Sequence, residues 1–140
     1  MKKPIKKKRS VTTAKKATWG VFSLFIRTRD CKRTTGCTSW GLCITCGRRY
    51  HIKLLQAGHF VAGRHNSNLF NEMGCHAQCY NCNINLKGNT QEYRRQVIKL
   101  YGNGADEMIE KQAGIIKSFT VEELDGLKES FKQRIKELEQ

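Results

Sequence analysis

The chain has no run of about 18 apolar residues, so no helix built from it spans a bilayer. No apolar stretch follows the charged N-terminus MKKPIKKKRS, so that segment does not read as a secretory signal. Acids are scarce: residues 1–16 have none, and residues 17–103 have only Asp30, Glu72 and Glu92. The apolar share of 39% is below a typical globular average and predicts a small core. There is no internal repeat, and 140 residues cannot hold a doubly wound sheet or a barrel of the usual size. A small domain with extensions remains, with a cytosolic, cytoplasmic location as the expectation. In a reducing compartment the seven cysteines read as metal ligands or inert thiols rather than disulfides.

The formal net charge is +14, and it is unevenly spread. Residues 1–16 carry eight basic residues, among them Lys6, Lys7, Lys8 and Arg9, and are expected to form a disordered tail. Residues 17–103 hold twelve basic against three acidic residues, whereas 104–140 hold six against nine. The excess therefore lies in the tail and the cysteine-bearing middle, away from the C-terminal end. A polyanion is the natural partner, because each phosphate that is neutralised releases a counterion.

Apolar periodicity predicts a first helix over residues 18–30 with Thr18 as N-cap. Residues 31–42 read as a loop. Residues 43–63 read as a cysteine turn, a short strand pair and a glycine-punctuated loop, and a long loop runs on to about Gly74. Helical signals span residues 81–102 and then 105–118. Thr120 and Glu123 form a capping box for a last helix to about Glu139. In it Leu124, Leu127, Phe131, Ile135 and Leu138 share one face. Such a stripe usually means intramolecular packing; a dimer seam is the alternative, although it runs barely two heptads.

Two CxxC pairs, Cys43 with Cys46 and Cys79 with Cys82, stand 32 residues apart. Two residues between thiols let a tight turn aim both sulfurs at one ion, and four thiolates complete a tetrahedral structural zinc shell. Gly47 directly after Cys46 fits such a knuckle turn. Cys31 and Cys37 have no partner pair and read as small semi-buried residues, with a redox pair or second metal as alternatives. Cys75 is expected to pack inside.

Between the pairs lies the run QAGHF at residues 56–60, with His59 at a strand end. Directly after the second pair comes Asn83, followed by Lys87, Gly88 and Asn89. A CxxC, a histidine at a strand end, and a CxxC followed by Asn resembles the layout of zinc-bearing HNH nucleases, which are treble-clef, ββα-metal (His-Me finger) enzymes. Over residues 17–100 the order and spacing of Phe22, Arg29, Asp30, the knuckles, Phe70, Glu72, Gln78, Tyr93 and Arg94 resembles the phage NinG (Rap) recombination proteins more closely still. Endonuclease VII, a Holliday-junction resolvase, is similar at the knuckles, the histidine and the asparagine. For a phage-encoded chain the expected location is the host cytoplasm.

The resemblance implies an α+β fold: a ββα-metal core at residues 17–103 on a four-cysteine zinc site, flanked by an N-terminal helix and a helical extension over 104–140. It implies metal-dependent phosphodiester hydrolysis on branched DNA, with His59 as general base and Asn83 as a ligand to Mg2+ or Mn2+. Many HNH sites place Asp before the histidine, where this chain has Gly58. Glu72 and His76 are the candidates to complete the ion's shell. The middle Asn of the HNH pattern falls at Gly74, with Asn71 or Asn68 as substitutes. Arg48, Arg49, Arg64, Lys87, Arg94 and Arg95 are expected at phosphates. A homodimer and recombination-protein partners are further expectations, since a four-way junction needs two coordinated cuts. The rival readings are a non-catalytic zinc-finger DNA-binding protein and a zinc-stabilised RNA-binding protein.

Overall fold

The computed structural model describes residues 9–140; Lys6, Lys7 and Lys8 lie outside the described residues. Helix α1 spans Val11–Thr35, seven residues earlier than the apolar periodicity predicts. Ser10, not Thr18, is its N-cap and accepts from Thr13 N at 3.1 Å. The reason is tertiary: Ala14 is buried beneath Phe119 and Leu124, which extends the packed stripe one turn into the lysine-rich segment. Thr18 is buried mid-helix, its hydroxyl 2.9 Å from both Ala14 O and Leu124 O. Gly36 ends α1 in the left-handed region, at φ 82°.

Two small antiparallel sheets follow. Strand β1, Trp40–Leu42, pairs with β2, Arg49–His51. The first cysteine knuckle is the loop between them. A 3-10 turn, Ile52–Leu54, leads into β3, Leu55–His59, which pairs with β4, Cys75–Cys79. The predicted long loop contains a short helix, α2, at Asn66–Leu69.

The helix expected over 81–102 is broken. A π-type turn at Asn81–Asn85 gives way to Lys87, Gly88 and Asn89, all with positive φ (51°, 92° and 46°), before α3 begins at Thr90–Tyr101. Helix α4, Ala105–Ala113, ends at Gly114, short of the expected boundary. Helix α5, Val121–Glu139, is capped by Thr120, which accepts from Glu123 N at 3.1 Å.

The stripe on α5 is used within the chain. Phe131 and Ile135 pack on Phe22, Phe25 and Ile26 of α1, together with Ala57 and Cys75 of the β3–β4 pair. A second core joins Phe60, Tyr93, Val97, Ala105 and Ile109, so α3 and α4 close the opposite side. Asp30, 1% exposed, fastens α1 to β4: it accepts from Ala77 N at 2.8 Å and from Arg29 Nε at 2.8 Å. Burial pushes its carboxyl up, but Arg29, His76 and these hydrogen bonds outweigh that and hold it below its ordinary value. No helix among the described residues is long and apolar enough to cross a membrane.

Candidate metal centre and active-site cleft

The four sulfurs of Cys43, Cys46, Cys79 and Cys82 all lie within 4.8 Å of one another. The Cys46 and Cys79 sulfurs are 3.9 Å apart. Tetrahedral Zn–S bonds of about 2.3 Å put sulfurs about 3.8 Å apart, so the cluster has the right size for zinc. Local turn chemistry builds it. Gly47 takes φ 71° and donates its N–H to Cys43 O at 2.9 Å, while Cys82 N approaches Cys79 Sγ at 3.5 Å. Burial raises the Cys43 thiol, yet hydrogen bonds from the Cys46 N–H, the Thr45 hydroxyl and the Cys79 N–H bring it down to about 7. Cys46 is pushed up to about 12, by burial first and then, against a bond from Arg48 N–H, by the neighbouring Cys43. Four crowded thiolates repel one another unless a cation sits among them, which is the chemistry of a tetrathiolate metal site.

The remaining cysteines lie apart from this cluster. Cys31 is buried against Leu55 and Ala77, Cys75 is buried in the α1–α5 core, and Cys37 is exposed. All three are free thiols.

Beside the cluster lies an open cleft of about 460 Å³, lined among others by Trp19, His59, Arg64, Asn83, Lys87 and Thr90. His59, Asn83, Arg64 and Lys87 are thus brought together from β3, the π-type turn and two loops. His59 stacks on Trp19 with ring centroids 5.3 Å apart, and Arg64 lies over the Trp19 ring at 4.4 Å. The His59 Nε2 lies 3.0 Å from Leu69 O. A carbonyl can only accept, so Nε2 carries the hydrogen and Nδ1 keeps its lone pair. Burial lowers the His59 pKa, and the positive charge of Arg64 adds to this against the raising effect of the Leu69 bond. The imidazole is therefore neutral near pH 7.

The loop that carries Leu69 is held by Asn68. Its Nδ2 donates to Val61 O at 2.9 Å and to Gly63 O at 3.2 Å. Among Asn68, Asn71 and Gly74, it is Asn68 that ties the two sides of this loop. Gly74 instead packs near Ile109, and Asn71 Oδ1 accepts from Met73 N at 3.1 Å.

Glu72 and His76 do not line the cleft. The Glu72 carboxylate accepts from Arg134 at 2.7 Å. His76 is fully buried with both ring nitrogens engaged, Nδ1 at 3.1 Å from Tyr93 OH and Nε2 at 2.7 Å from Tyr101 OH. Tyr93 OH itself donates to Gly58 O at 2.6 Å, so it accepts from His76 Nδ1–H and Tyr101 donates to Nε2. His76 therefore buttresses the strand at Gly58 rather than offering a free lone pair. Burial drops its pKa to about 3.

The basic residues divide similarly. Arg49 lies over Trp40 at 4.7 Å. Arg48 is exposed beside the knuckle, where its carbonyl accepts from Cys43 N at 2.9 Å. Arg94 is taken up by Asp106 at 2.6 Å and Glu110 at 2.8 Å, and Arg95 by Glu92 at 2.8 Å. Arg9 pairs with Asp125 of α5. A larger groove, about 580 Å³, runs between Arg64–Ser67 and Ala113–Lys117 but is lined by no carboxylate or thiol.

A family model described as Bacteriophage Lambda NinG protein matches residues 1–140. The chain belongs to the NinG family. It is similar to Protein ninG of Escherichia phage lambda, with 33% identity over 97 residues, covering 69% of this chain and 47% of that protein. Protein ninG of Escherichia phage 933W and that of Enterobacteria phage VT2-Sa give the same identity and coverage. The chain spans about half the length of the curated relatives it matches. No solved structure matches it.

Three features of this NinG-family chain escape sequence reasoning. Trp19 reaches the cleft from α1, and sequence patterning reads it only as part of a helix face. Leu69 acts through its carbonyl, which no side-chain pattern records. Gln78 is fully buried, donates from Nε2 to Thr45 Oγ1 at 3.1 Å and to Gly88 O at 3.0 Å, and leaves Oε1 with no partner. Such an orphaned buried acceptor costs about 1–3 kcal/mol, so it calls for an explanation.

Proposed function

We propose that this protein is a zinc-stabilised DNA endonuclease of the HNH (treble-clef, His-Me finger) type that hydrolyses phosphodiesters in branched recombination intermediates. The observation that carries this reading is His59 in the cleft with Asn83, its Nε2 engaged by Leu69 O and its Nδ1 lone pair free. A neutral imidazole held in one tautomer suits proton abstraction from water. Asn83 Nδ2 donates to Gln56 Oε1 at 2.8 Å, which turns Oδ1 away as an oxygen ligand. Arg64 and Lys87 line the same cleft and supply positive charge for a phosphate.

The residues fit a hard divalent ion through oxygen: Asn83 Oδ1 carries no bond from a described donor, and the orphaned Gln78 Oε1 is close by. Bound Mg2+ or Mn2+ supplies charge stabilisation to the phosphorane and to the leaving 3′ oxygen. Zinc has no part in that chemistry, since four thiolates leave no open position.

One observation favours a second reading. The cleft lining has no carboxylate, which is what a site that binds nucleic acid without cutting it also looks like. The decisive assay compares the parent with His59→Ala on a four-way junction and on linear duplex, with and without Mg2+. The expected result is metal-dependent cutting of the junction by the parent, lost by at least about 10²-fold in His59→Ala while DNA affinity is kept. A parent that cuts neither substrate with any divalent ion moves the assignment to binding alone.

A further inference from the structure

The Gln78 side chain is locked in one orientation. Gly88 O is only an acceptor, so the amide nitrogen must face it, and Oε1 points the other way. There it finds no donor and no solvent. What it meets is bare backbone: a Cβ on Gly58 would lie 1.9 Å from Gln78 Oε1 and 3.1 Å from Asn83 Oδ1. The two amide oxygens are thus both within 3.1 Å of one point beside Gly58. Asn83 gives its nitrogen to Gln56 Oε1 at 2.8 Å and turns Oδ1 toward Gly58. Any side chain at position 58 would displace the Gln78 oxygen. Glycine there and glutamine at 78 therefore form one arrangement.

We infer that Gln78 Oε1 and Asn83 Oδ1 form a neutral oxygen-donor pair for a hard divalent cation, with Gln78 on β4 supplying the ligand that Gly58 cannot. This rests on the metal-dependent reading above and deepens it. Mg2+ and Mn2+ accept carbonyl-type oxygens, and the rest of the shell would come from water and substrate phosphate on the cleft side, which Asn83 lines. The pair carries no charge, and Arg64 and Lys87 face the same cleft. Affinity for the bare ion is therefore low, and a substrate phosphate raises it by adding the missing negative charge. No thiolate or imidazole takes part, which separates this site from the zinc cluster in metal preference.

The test uses the zinc-loaded full chain without DNA, titrated with Mn2+ up to millimolar concentration and followed through side-chain amide resonances. Paramagnetic broadening is sensitive to weak occupancy. The Gln78 and Asn83 NH2 signals are expected to broaden first, while Gln112 and Asn71 stay sharp. Gln78→Ala is expected to weaken the effect at Asn83 by at least tenfold. Because Gln78 also anchors Thr45 and Gly88, its zinc content is measured in parallel. The exchange variant Gly58→Asp/Gln78→Ala, which moves the oxygen from β4 to position 58, is expected to restore binding at Asn83. Persistently sharp Gln78 and Asn83 signals in the parent overturn the inference. So does a zinc-replete Gln78→Ala that binds Mn2+ like the parent. If the parent cuts junction DNA with Mg2+ in either of those cases, the nuclease reading stands and only the ligand assignment falls. If both amides broaden but no DNA is cut, the ion site stands and the nuclease reading falls.

Discussion

Trp19 of α1 stacks on His59 of β3, with ring centroids 5.3 Å apart and planes inclined at 25°. This stack joins the long N-terminal helix to the end of a strand some 40 residues later in the chain. It also covers one face of the imidazole, which contributes to the burial that lowers the His59 pKa.

Removing the cover should reverse the shift. Trp19→Ala exposes the ring to water, so the His59 pKa rises toward the ordinary value of about 6.5. An NMR titration of the His59 ring protons measures it directly. A pKa that stays put would show that Arg64, not burial under Trp19, sets the depression. If His59 is the base, the acid limb of the pH–rate profile moves up by the same amount.

The four-cysteine cluster, sized to hold a metal such as zinc, makes a sharper demand. Structural Zn2+ is worth about 10–16 kcal/mol of apparent binding free energy in small zinc domains. Cys43→Ser and Cys82→Ser are expected to lose the metal and to unfold the two sheets, seen as loss of zinc by elemental analysis and of dispersed amide signals. Cys37→Ser, at an exposed free thiol, keeps both. Full zinc content in Cys82→Ser would remove that residue from the ligand set.

Acid stability should be governed by His76. Its folded pKa is depressed to about 3 by burial, against about 6.5 unfolded, so the unfolded chain binds the proton more readily. The contribution is complete above pH 6.5. It is lost as pH falls from there toward 3, by about 1.4 kcal/mol per unit. Asp30, with its carboxyl held low, adds a further loss only below its unfolded value of about 3.9. Urea midpoints measured between pH 7 and 4 should fall steadily for the parent and far less for His76→Gln. Equal slopes would exclude His76 as the cause.

Two arginines that look alike in sequence should behave differently. Arg64 lines the cleft, so if the cleft binds DNA as proposed, Arg64→Ala weakens that binding and reduces the slope of log K against log salt by about 1. Arg94 is engaged by Asp106 and Glu110, so Arg94→Ala should loosen the contact between α3 and α4, at about 1 kcal/mol for so exposed a side chain. Its salt slope should match the parent's. Fluorescence anisotropy across a salt series distinguishes the two; identical slopes for Arg64→Ala and the parent would take Arg64 out of the interface.

Features written in short-range spacing were legible without the fold. The CxxC pairs could be read as one cluster because two intervening residues dictate a knuckle turn whatever surrounds it, and the four thiols do converge. The capping box at Thr120 and the apolar stripe of α5 were legible for the same reason, since helix periodicity acts within a few turns. Where α1 begins was not, because Ala14 is buried by clustering with Phe119 and Leu124, more than a hundred residues away. Nor was the break at Lys87–Asn89, where backbone of positive φ overrides a helical pattern. Side-chain partnership was decided by the tertiary structure throughout. Glu72 and His76 look like spare ligands in sequence, but Arg134 claims the carboxylate and two tyrosines claim the imidazole. The sequence by itself determined which residues could do chemistry, because residue type and local spacing set their reach. Only the tertiary structure decided which remain unpaired and face one cleft, because that depends on contacts between segments far apart in the chain.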